Sequence, residues 1–121
     1  MMKMVAIIQA RMGSTRLPGK VLKEVARKPM MEHVINRLKQ AKTLNEIMVA
    51  TSVNERDRPI IELSKRLGVG CFAGSEEDVL DRFLEAAEQV RADVIVRVTS
   101  DCPLIDPNTV DKIVRCHLQS N

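Results

Sequence analysis

The chain has 121 residues, of which 45% are hydrophobic, 29% charged and 2% aromatic, and its formal net charge at pH 7 is +3. This length predicts one domain with one core, and the core must be aliphatic because Phe72 and Phe83 are the only aromatic residues. Such a composition offers too few rings for base stacking and too small a net charge for a general polyanion binder. We therefore expect no nucleic-acid partner.

The cysteines and the first residues bear on location. Cys71, Cys102 and Cys116 are odd in number and form neither a CxxC pair nor a zinc spacing, which is typical of reduced thiols. The opening Met-Met-Lys-Met segment has one cation and a short apolar stretch, too little for a signal peptide or a membrane span. We predict a cytoplasmic protein without a membrane partner.

Short apolar runs alternate with helical patterns along the whole chain. Four runs predict buried parallel strands: residues 4–8, 47–51, 70–73 and 94–98. Apolar residues at spacings of three and four between and after them predict four helices: stripes 31/34/35/38, 60/64/67, 80/83/84/87 and 110/113/114/118. This alternation favours right-handed βαβ crossovers. The predicted fold class is α/β, a Rossmann-like parallel sheet with helices on both faces.

Boundary residues agree with these elements. Pro29 suits the first turn of the first helix, and Gly68 suits the end of the second. Residues 75–78 resemble a capping box before the third helix, and Asp106-Pro107 fits an N-cap followed by a first helical residue. Ligands of such sheets bind beyond the carboxyl ends of the strands, where the strand order reverses. The loops after the first and fourth strands are therefore the candidate site.

The loop after the first strand, residues 9–20, combines glycines, hydroxyls and cations, and we call it the anion cradle. It does not fit a Walker loop, because Pro18 replaces a glycine and Val21 replaces the Ser or Thr after Lys20. It also lacks the dinucleotide pattern GxGxxG. We expect its three cations to meet a triphosphate: Arg11, Arg16 and Lys20. The alternative is a solvated basic loop that pairs with surface carboxylates such as Glu24.

The loop after the fourth strand offers a carboxylate, Asp101, suited to Mg²⁺ that also binds phosphate oxygens. The alternative is a turn residue before Pro103. His33 and His117 are expected to be structural or solvated. Cys102 has no histidine near it in sequence that would activate a thiolate, so packing is the expected role.

Three segments together resemble a known family: residues 10–20, 74–83 and 97–105. They are similar to the sugar-activating cytidylyltransferases, which include the CMP-KDO and CMP-sialic acid synthetases, and within them to the spore-coat polysaccharide biosynthesis protein F group. The resemblance runs nearly end to end. It implies a glycosyltransferase-A-like nucleotide-binding fold and transfer of a nucleoside monophosphate, CMP from CTP, to a sugar hydroxyl with release of pyrophosphate.

The resemblance also implies roles for particular residues. The triphosphate would be held by cradle residues: Arg11, Gly13, Ser14, Arg16 and Lys20. Asp101 would bind magnesium and act in catalysis with Arg11 and Lys20. Other residues would border the nucleoside: Ala10, Thr51, Ser52, Arg82 and Thr99. The chain departs from the CMP-KDO synthetases at Thr99, where they have a glutamine that helps to read cytosine, and at residues 78–80, where they have Ser-Gly-Thr.

Family members are about twice as long as this chain, so we expect residues 1–121 to be the N-terminal nucleotide-binding domain of a longer, homodimeric enzyme. The isolated part is expected to turn over little or nothing. A binding module that senses a nucleotide or a phosphorylated metabolite without chemistry is the alternative function. A flavodoxin-like receiver fits the fold class, but the first strand ends in cations instead of an acidic cluster.

Overall fold

A computed structural model describes residues 3–12, 22–74, 79–99 and 107–119 of the chain. Its main sheet has four parallel strands: β1 (Met4–Gln9), β4 (Glu46–Ser52), β5 (Gly70–Gly74) and β6 (Val94–Thr99). Two short strands form a separate antiparallel hairpin: β2 (Glu24–Val25) and β3 (Lys28–Pro29). The described residues also form four helices and a 3₁₀ turn: α1 (Met30–Leu38), the turn Glu55–Asp57, α2 (Arg58–Arg66), α3 (Val79–Val90) and α4 (Pro107–Gln119).

The strand order β5-β4-β1-β6 reverses beside β1. The chain passes from β1 to β4 and β5 on one side, and then crosses to β6 on the other. In this register Gln9 is opposite Ala50 of β4 and opposite Thr99 of β6. The α/β fold and the switch point between the first and fourth main strands are thus confirmed, and the loops that follow β1 and β6 start from neighbouring positions.

Each face of the sheet has its own apolar cluster because side chains alternate along a strand. Ala6, Ile8 and Val49 belong to a cluster that includes residues of α1, α2 and α4. Val5 and Ile7 belong to a second cluster, with α3 residues. Burial on both sides explains why the strands are almost continuously apolar. Among the described helices, α3 packs on one side of the sheet and α1, α2 and α4 pack on the other.

Not every predicted stripe residue is buried. Leu84 of α3 is 50% exposed and Ile113 of α4 is 60% exposed, so the helices turn other residues to the core. In the parts of the chain that the structure describes, no helix combines the length and hydrophobicity that a membrane crossing would require.

The hairpin β2–β3 was absent from the sequence-based prediction. Its two turn residues, Ala26 and Arg27, have φ values of 51° and 70°. This left-handed geometry usually attracts Gly or Asn, which signals a turn in a sequence, and neither residue type is present here. The Nε2 of His33 on α1 donates to the carbonyl oxygen of Val25, so this histidine has the structural role expected of it.

The boundary predictions for Gly68 and Pro107 are confirmed. Gly68 has φ +75° and follows the α2 C-cap residue, and Pro107 is the first residue of α4. The expectation for Pro29 is wrong by one residue, because it is the N-cap and the helix begins at Met30. Residues 75–78 and Asp106 lie outside the described residues.

Candidate functional site

The carboxyl edge of the sheet holds those predicted site residues that the structure describes. Ala10 and Arg11 follow β1, and Thr51 and Ser52 end β4. Arg82 lies on α3, and Thr99 ends β6. The remaining predicted residues lie outside the described ranges: Gly13, Ser14, Arg16, Lys20 and Asp101. Cys102 does as well.

The anion cradle leaves the sheet at Ala10. The backbone N–H of Ala10 donates to the carbonyl oxygen of Ala50 at 3.0 Å, which extends the β1–β4 pairing by one residue. Ala10 is 2% exposed, whereas Arg11 is exposed. Arg11 is therefore the first side chain of the cradle to enter solvent, directly at the switch point.

A buried carboxylate, Asp57, lies beneath the start of the cradle. One of its oxygens accepts the backbone N–H of Met12 at 2.6 Å, and the other accepts the hydroxyl of Ser52. The Ser52 hydroxyl also accepts the backbone N–H of Asn54 at 3.1 Å. Asp57 is 1% exposed. It therefore joins the cradle, the end of β4 and the 3₁₀ turn, and its own carboxylate is almost completely shielded from water.

Arg82 reaches the same edge from α3. Its Nη2 donates to Oε1 of Gln9 at 2.9 Å, and the residue is 2% exposed. Gly74 makes room for it, because a Cβ at position 74 would lie 3.2 Å from Cγ of Arg82 and 2.6 Å from Cε2 of Phe72. We call Gln9, Ser52, Asp57 and Arg82 the edge network.

Charge links the edge network to the cradle. Burial lowers the pKa of Arg82 and the nearby charge of Arg11 lowers it further, while Asp57 opposes both effects. The charges of Arg11, Asp57 and Arg82 therefore influence one another. Of these three described residues two are cations and one is a carboxylate, a balance that suits an anionic ligand.

Thr51 lies one residue before Ser52 and is fully buried. Its Oγ1 has no hydrogen-bond partner among the described residues. A buried hydroxyl without a partner is costly, so native structures usually provide one. Thr51 therefore retains hydrogen-bonding capacity beside the switch point.

The described residues do not by themselves form a metal site. They contain no group of three His, Cys, Asp or Glu side chains that could hold an ion. Asp57, the buried carboxylate at this edge, uses both oxygens for Met12 and Ser52. The carboxylate that the sequence predicts for Mg²⁺, Asp101, follows the end of β6 by two residues and lies outside the described residues.

Sequence reasoning did not find Asp57, and it did not assign Gln9 a role of its own. Asp57 lies in the charged run Glu55-Arg56-Asp57-Arg58, which is typical of a solvated turn. Nothing in that pattern indicates that one carboxylate is buried. The partial signal was the location of this run directly after the predicted second strand, at the edge where ligands bind.

Solved structures resemble this fold closely. A cytidylyltransferase from Leptospira borgpetersenii matches with a TM-score of 0.94 and 40% identity, over 98% of this chain and 50% of that one. A CMP:2-keto-3-deoxy-manno-octonic acid synthetase complexed with CTP matches with a TM-score of 0.81 and 31% identity, over 97% of this chain and 48% of that one. The fold is that of a nucleotidyltransferase.

The family itself follows from sequence. A model of the cytidylyltransferase family matches residues 5–121, and the spore coat polysaccharide biosynthesis protein SpsF of Bacillus subtilis is 41% identical over 92% of this chain and 48% of its own. The chain belongs to the cytidylyltransferase family, as the resemblance implied. It spans about half the length of the relatives it matches.

Proposed function

We propose that the protein transfers CMP from CTP to a sugar hydroxyl and releases pyrophosphate. The observation that carries this proposal is the carboxyl edge at the switch point, where the exposed Arg11 follows β1 and the buried Arg82 donates to Gln9. Membership of the cytidylyltransferase family supports the choice of CTP. Because the chain spans about half of its relatives, the activity is proposed for the whole protein that contains it.

The reaction needs positive charge more than a nucleophilic side chain. A sugar oxygen attacks the α-phosphorus, and the bond to the leaving pyrophosphate oxygen breaks while charge grows on the equatorial and leaving oxygens. Cations that are already in position stabilise that charge. Arg11 would contact the triphosphate, together with four further cradle residues: Gly13, Ser14, Arg16 and Lys20. When bound by Asp101, Mg²⁺ would neutralise part of the phosphate charge.

The proposed nucleoside contacts divide into two kinds. The hydroxyl of Ser52 already donates to Asp57 and accepts from Asn54, so we assign it to support of the site. The buried Oγ1 of Thr51 keeps its capacity and is the better candidate for a ligand contact. Ala10 and Thr99 border the same edge through the β1 register.

Three further features belong to the proposal. The acceptor would be a sugar of surface or spore-coat polysaccharide synthesis, in line with the name of the Bacillus relative. The whole protein would be a homodimer, and a cytoplasmic location stays a prediction. The chain belongs to a family of enzymes, and the non-catalytic binding module becomes an outcome of the test below.

Binding is tested first. With Mg²⁺ present, we expect CTP to raise the melting temperature of the whole protein more than UTP, ATP or GTP does. Lys20→Ala and Asp101→Ala should each remove most of the shift, because they delete a phosphate contact and the metal carboxylate. Lys28→Ala is the control, since Lys28 is an exposed cation on β3 that is not among the proposed phosphate contacts.

Chemistry is tested next, by pyrophosphate release with CTP and a panel of acidic and neutral sugars. Release that depends on a sugar supports the transferase, whereas tight CTP binding without release in the whole protein supports the binding module. If none of the four nucleotides shifts the melting temperature at millimolar concentration, the proposed function is wrong.

A further inference from the structure

We propose that Asp57 is a positioning residue for nucleotide binding, which fixes the first residues of the anion cradle through the backbone N–H of Met12. The proposal rests on the proposed nucleotide-binding function. Asp57 itself would touch neither the nucleotide nor the metal.

The first argument is geometric. The two oxygens of Asp57 serve different segments, Oδ1 accepting from Met12 at 2.6 Å and Oδ2 accepting from Ser52. The Asp57 N–H donates to the Asn54 carbonyl at 2.9 Å, which fixes the 3₁₀ turn that carries the carboxylate. At 1% exposure, water cannot easily replace these partners. Asp57 therefore fixes the exit of the cradle from the sheet relative to the end of β4.

The second argument is chemical. A carboxylate repels an anionic ligand, so direct contact between Asp57 and a phosphate is unfavourable. Both of its oxygens accept hydrogen bonds, which leaves it poorly suited as a metal ligand. A buried carboxylate is tolerated when it is paired and hydrogen-bonded, and the nearby positive charge of Arg82 serves that purpose. What remains for Asp57 is a geometric role.

Two substitutions separate geometry from charge. Asp57→Asn keeps an oxygen that can accept from Met12 and removes a negative charge from an anion-binding edge. Asp57→Ala removes the acceptor and the charge together. If Asp57 acts through position, the Asn variant should retain nucleotide affinity and the Ala variant should lose it.

The control is Asp111, the other buried aspartate among the described residues whose carboxylate accepts backbone N–H groups of another segment. It is 4% exposed and accepts the N–H groups of Lys42 at 2.9 Å and Thr43 at 2.8 Å. Asp111→Ala thus removes a similar set of hydrogen bonds away from the cradle. A role limited to stability predicts the same behaviour for both alanine variants.

The experiment is calorimetric titration of the full chain with CTP and Mg²⁺, together with thermal melting. We expect Asp57→Ala to raise the Kd about tenfold, the scale of one buried charge-assisted hydrogen bond, and Asp57→Asn to stay within about threefold of the parent. Asp111→Ala should lower the melting temperature with no change in Kd. Unchanged or tighter binding by Asp57→Ala, or equal losses in the Ala and Asn variants, would overturn the proposal.

A second readout needs no nucleotide. Hydrogen exchange of the Met12 amide should be slow in the parent and in Asp57→Asn, and at least about tenfold faster in Asp57→Ala. If the parent binds no nucleotide, the proposed function fails and the nucleotide part of this proposal fails with it. Fast exchange in the parent, or no acceleration in Asp57→Ala, instead contradicts the positioning role itself.

Discussion

Two buried aspartates, Asp57 and Asp111, perform similar local tasks in very different surroundings. Asp57 accepts the backbone N–H of Met12 and the hydroxyl of Ser52. Asp111 accepts both the backbone N–H and the hydroxyl of Thr43. Asp111 ties α4 to the loop that enters β4 at its amino end. Asp57 lies at the carboxyl end, below the start of the cradle.

The difference between them lies in the charges they meet. Asp111 is influenced by Arg115 on its own helix, whereas Asp57 acts on Arg82, a buried arginine that also feels Arg11. A buried aspartate with similar hydrogen bonds therefore only holds two segments together in the case of Asp111. In the case of Asp57 it also interacts with the charged residues at the carboxyl edge of the sheet. Stability alone explains Asp111, but it does not explain why an arginine, Arg82, is buried at the edge where Asp57 lies.

The largest expected effect comes from Arg82→Ala. This change leaves Gln9 without its 2.9 Å donor and removes a buried positive charge that interacts with the buried carboxylate of Asp57. We expect the free energy of unfolding to fall by about 3 kcal/mol and CTP binding to weaken at least tenfold. Urea denaturation and titration with CTP and Mg²⁺ measure the two effects.

Arg97→Ala is the matched control for this change. Arg97 is an exposed arginine on β6, with its guanidinium carbon 5.9 Å from the centroid of the Phe83 ring. Loss of such a cation–π contact at an exposed site costs about 0.5 kcal/mol. If Arg82→Ala lowers the free energy of unfolding and weakens CTP binding no more than Arg97→Ala does, the edge network contributes neither to stability nor to CTP binding in the way inferred above.

A smaller loss is expected for Gly74→Ala. The added Cβ would lie 2.6 Å from the Phe72 ring and 3.2 Å from Cγ of Arg82, so one of these side chains must move. Overpacking of this kind costs about 2 kcal/mol, and any shift of Arg82 should also weaken CTP binding in titrations.

Gly68→Ala separates strain from site geometry. Gly68 has φ +75° and open space around its Cβ position, so alanine there costs about 1 kcal/mol through backbone strain. It should leave CTP affinity unchanged. Equal binding losses in the two glycine variants would show that general destabilisation, and not the position of Arg82, controls affinity.

Much of the fold could be predicted from the sequence because burial on both faces leaves a strong trace. The runs at 4–8 and 94–98 are nearly continuous in apolar residues, and both became strands extended by one residue. The hairpin β2–β3 left no such trace. Its strands have two residues each, and its turn uses Ala26 and Arg27 in a geometry normally signalled by Gly or Asn.

The candidate site was only partly predictable for a different reason. The pattern of cations in residues 9–20 and the alternation of elements indicate an anion site at the switch point, and Arg11 lies there. A pattern does not reveal which charged residue of a turn is buried. Asp57 and its neighbour Arg58 are both charged residues of the same run, and the sequence pattern does not distinguish their burial. In the structure Asp57 is 1% exposed whereas Arg58 is exposed.

An effect as small as that of Gly68→Ala, but one that depends on pH, is expected for Asp111→Asn. Burial raises the pKa of Asp111, but hydrogen bonds from Thr43 and Lys42 and the charge of Arg115 outweigh it, so the pKa lies below the ordinary value of 3.8. A lowered folded-state pKa means that the carboxylate stabilises the protein above pH of about 4 and loses this contribution as pH falls through its folded-state pKa. Asparagine cannot accept all the hydrogen bonds that the carboxylate accepts, so Asp111→Asn should lose about 1 kcal/mol at pH 7. In urea denaturation, this gap between the parent and the variant should narrow as the pH falls below about 4, because the unfolded chain then binds a proton at this carboxylate more readily than the folded protein does. If the difference in the free energy of unfolding stays constant from pH 7 to pH 3, the charge of Asp111 contributes nothing to stability. The link between α4 and the chain before β4 would then depend only on the size and hydrogen bonds of the side chain.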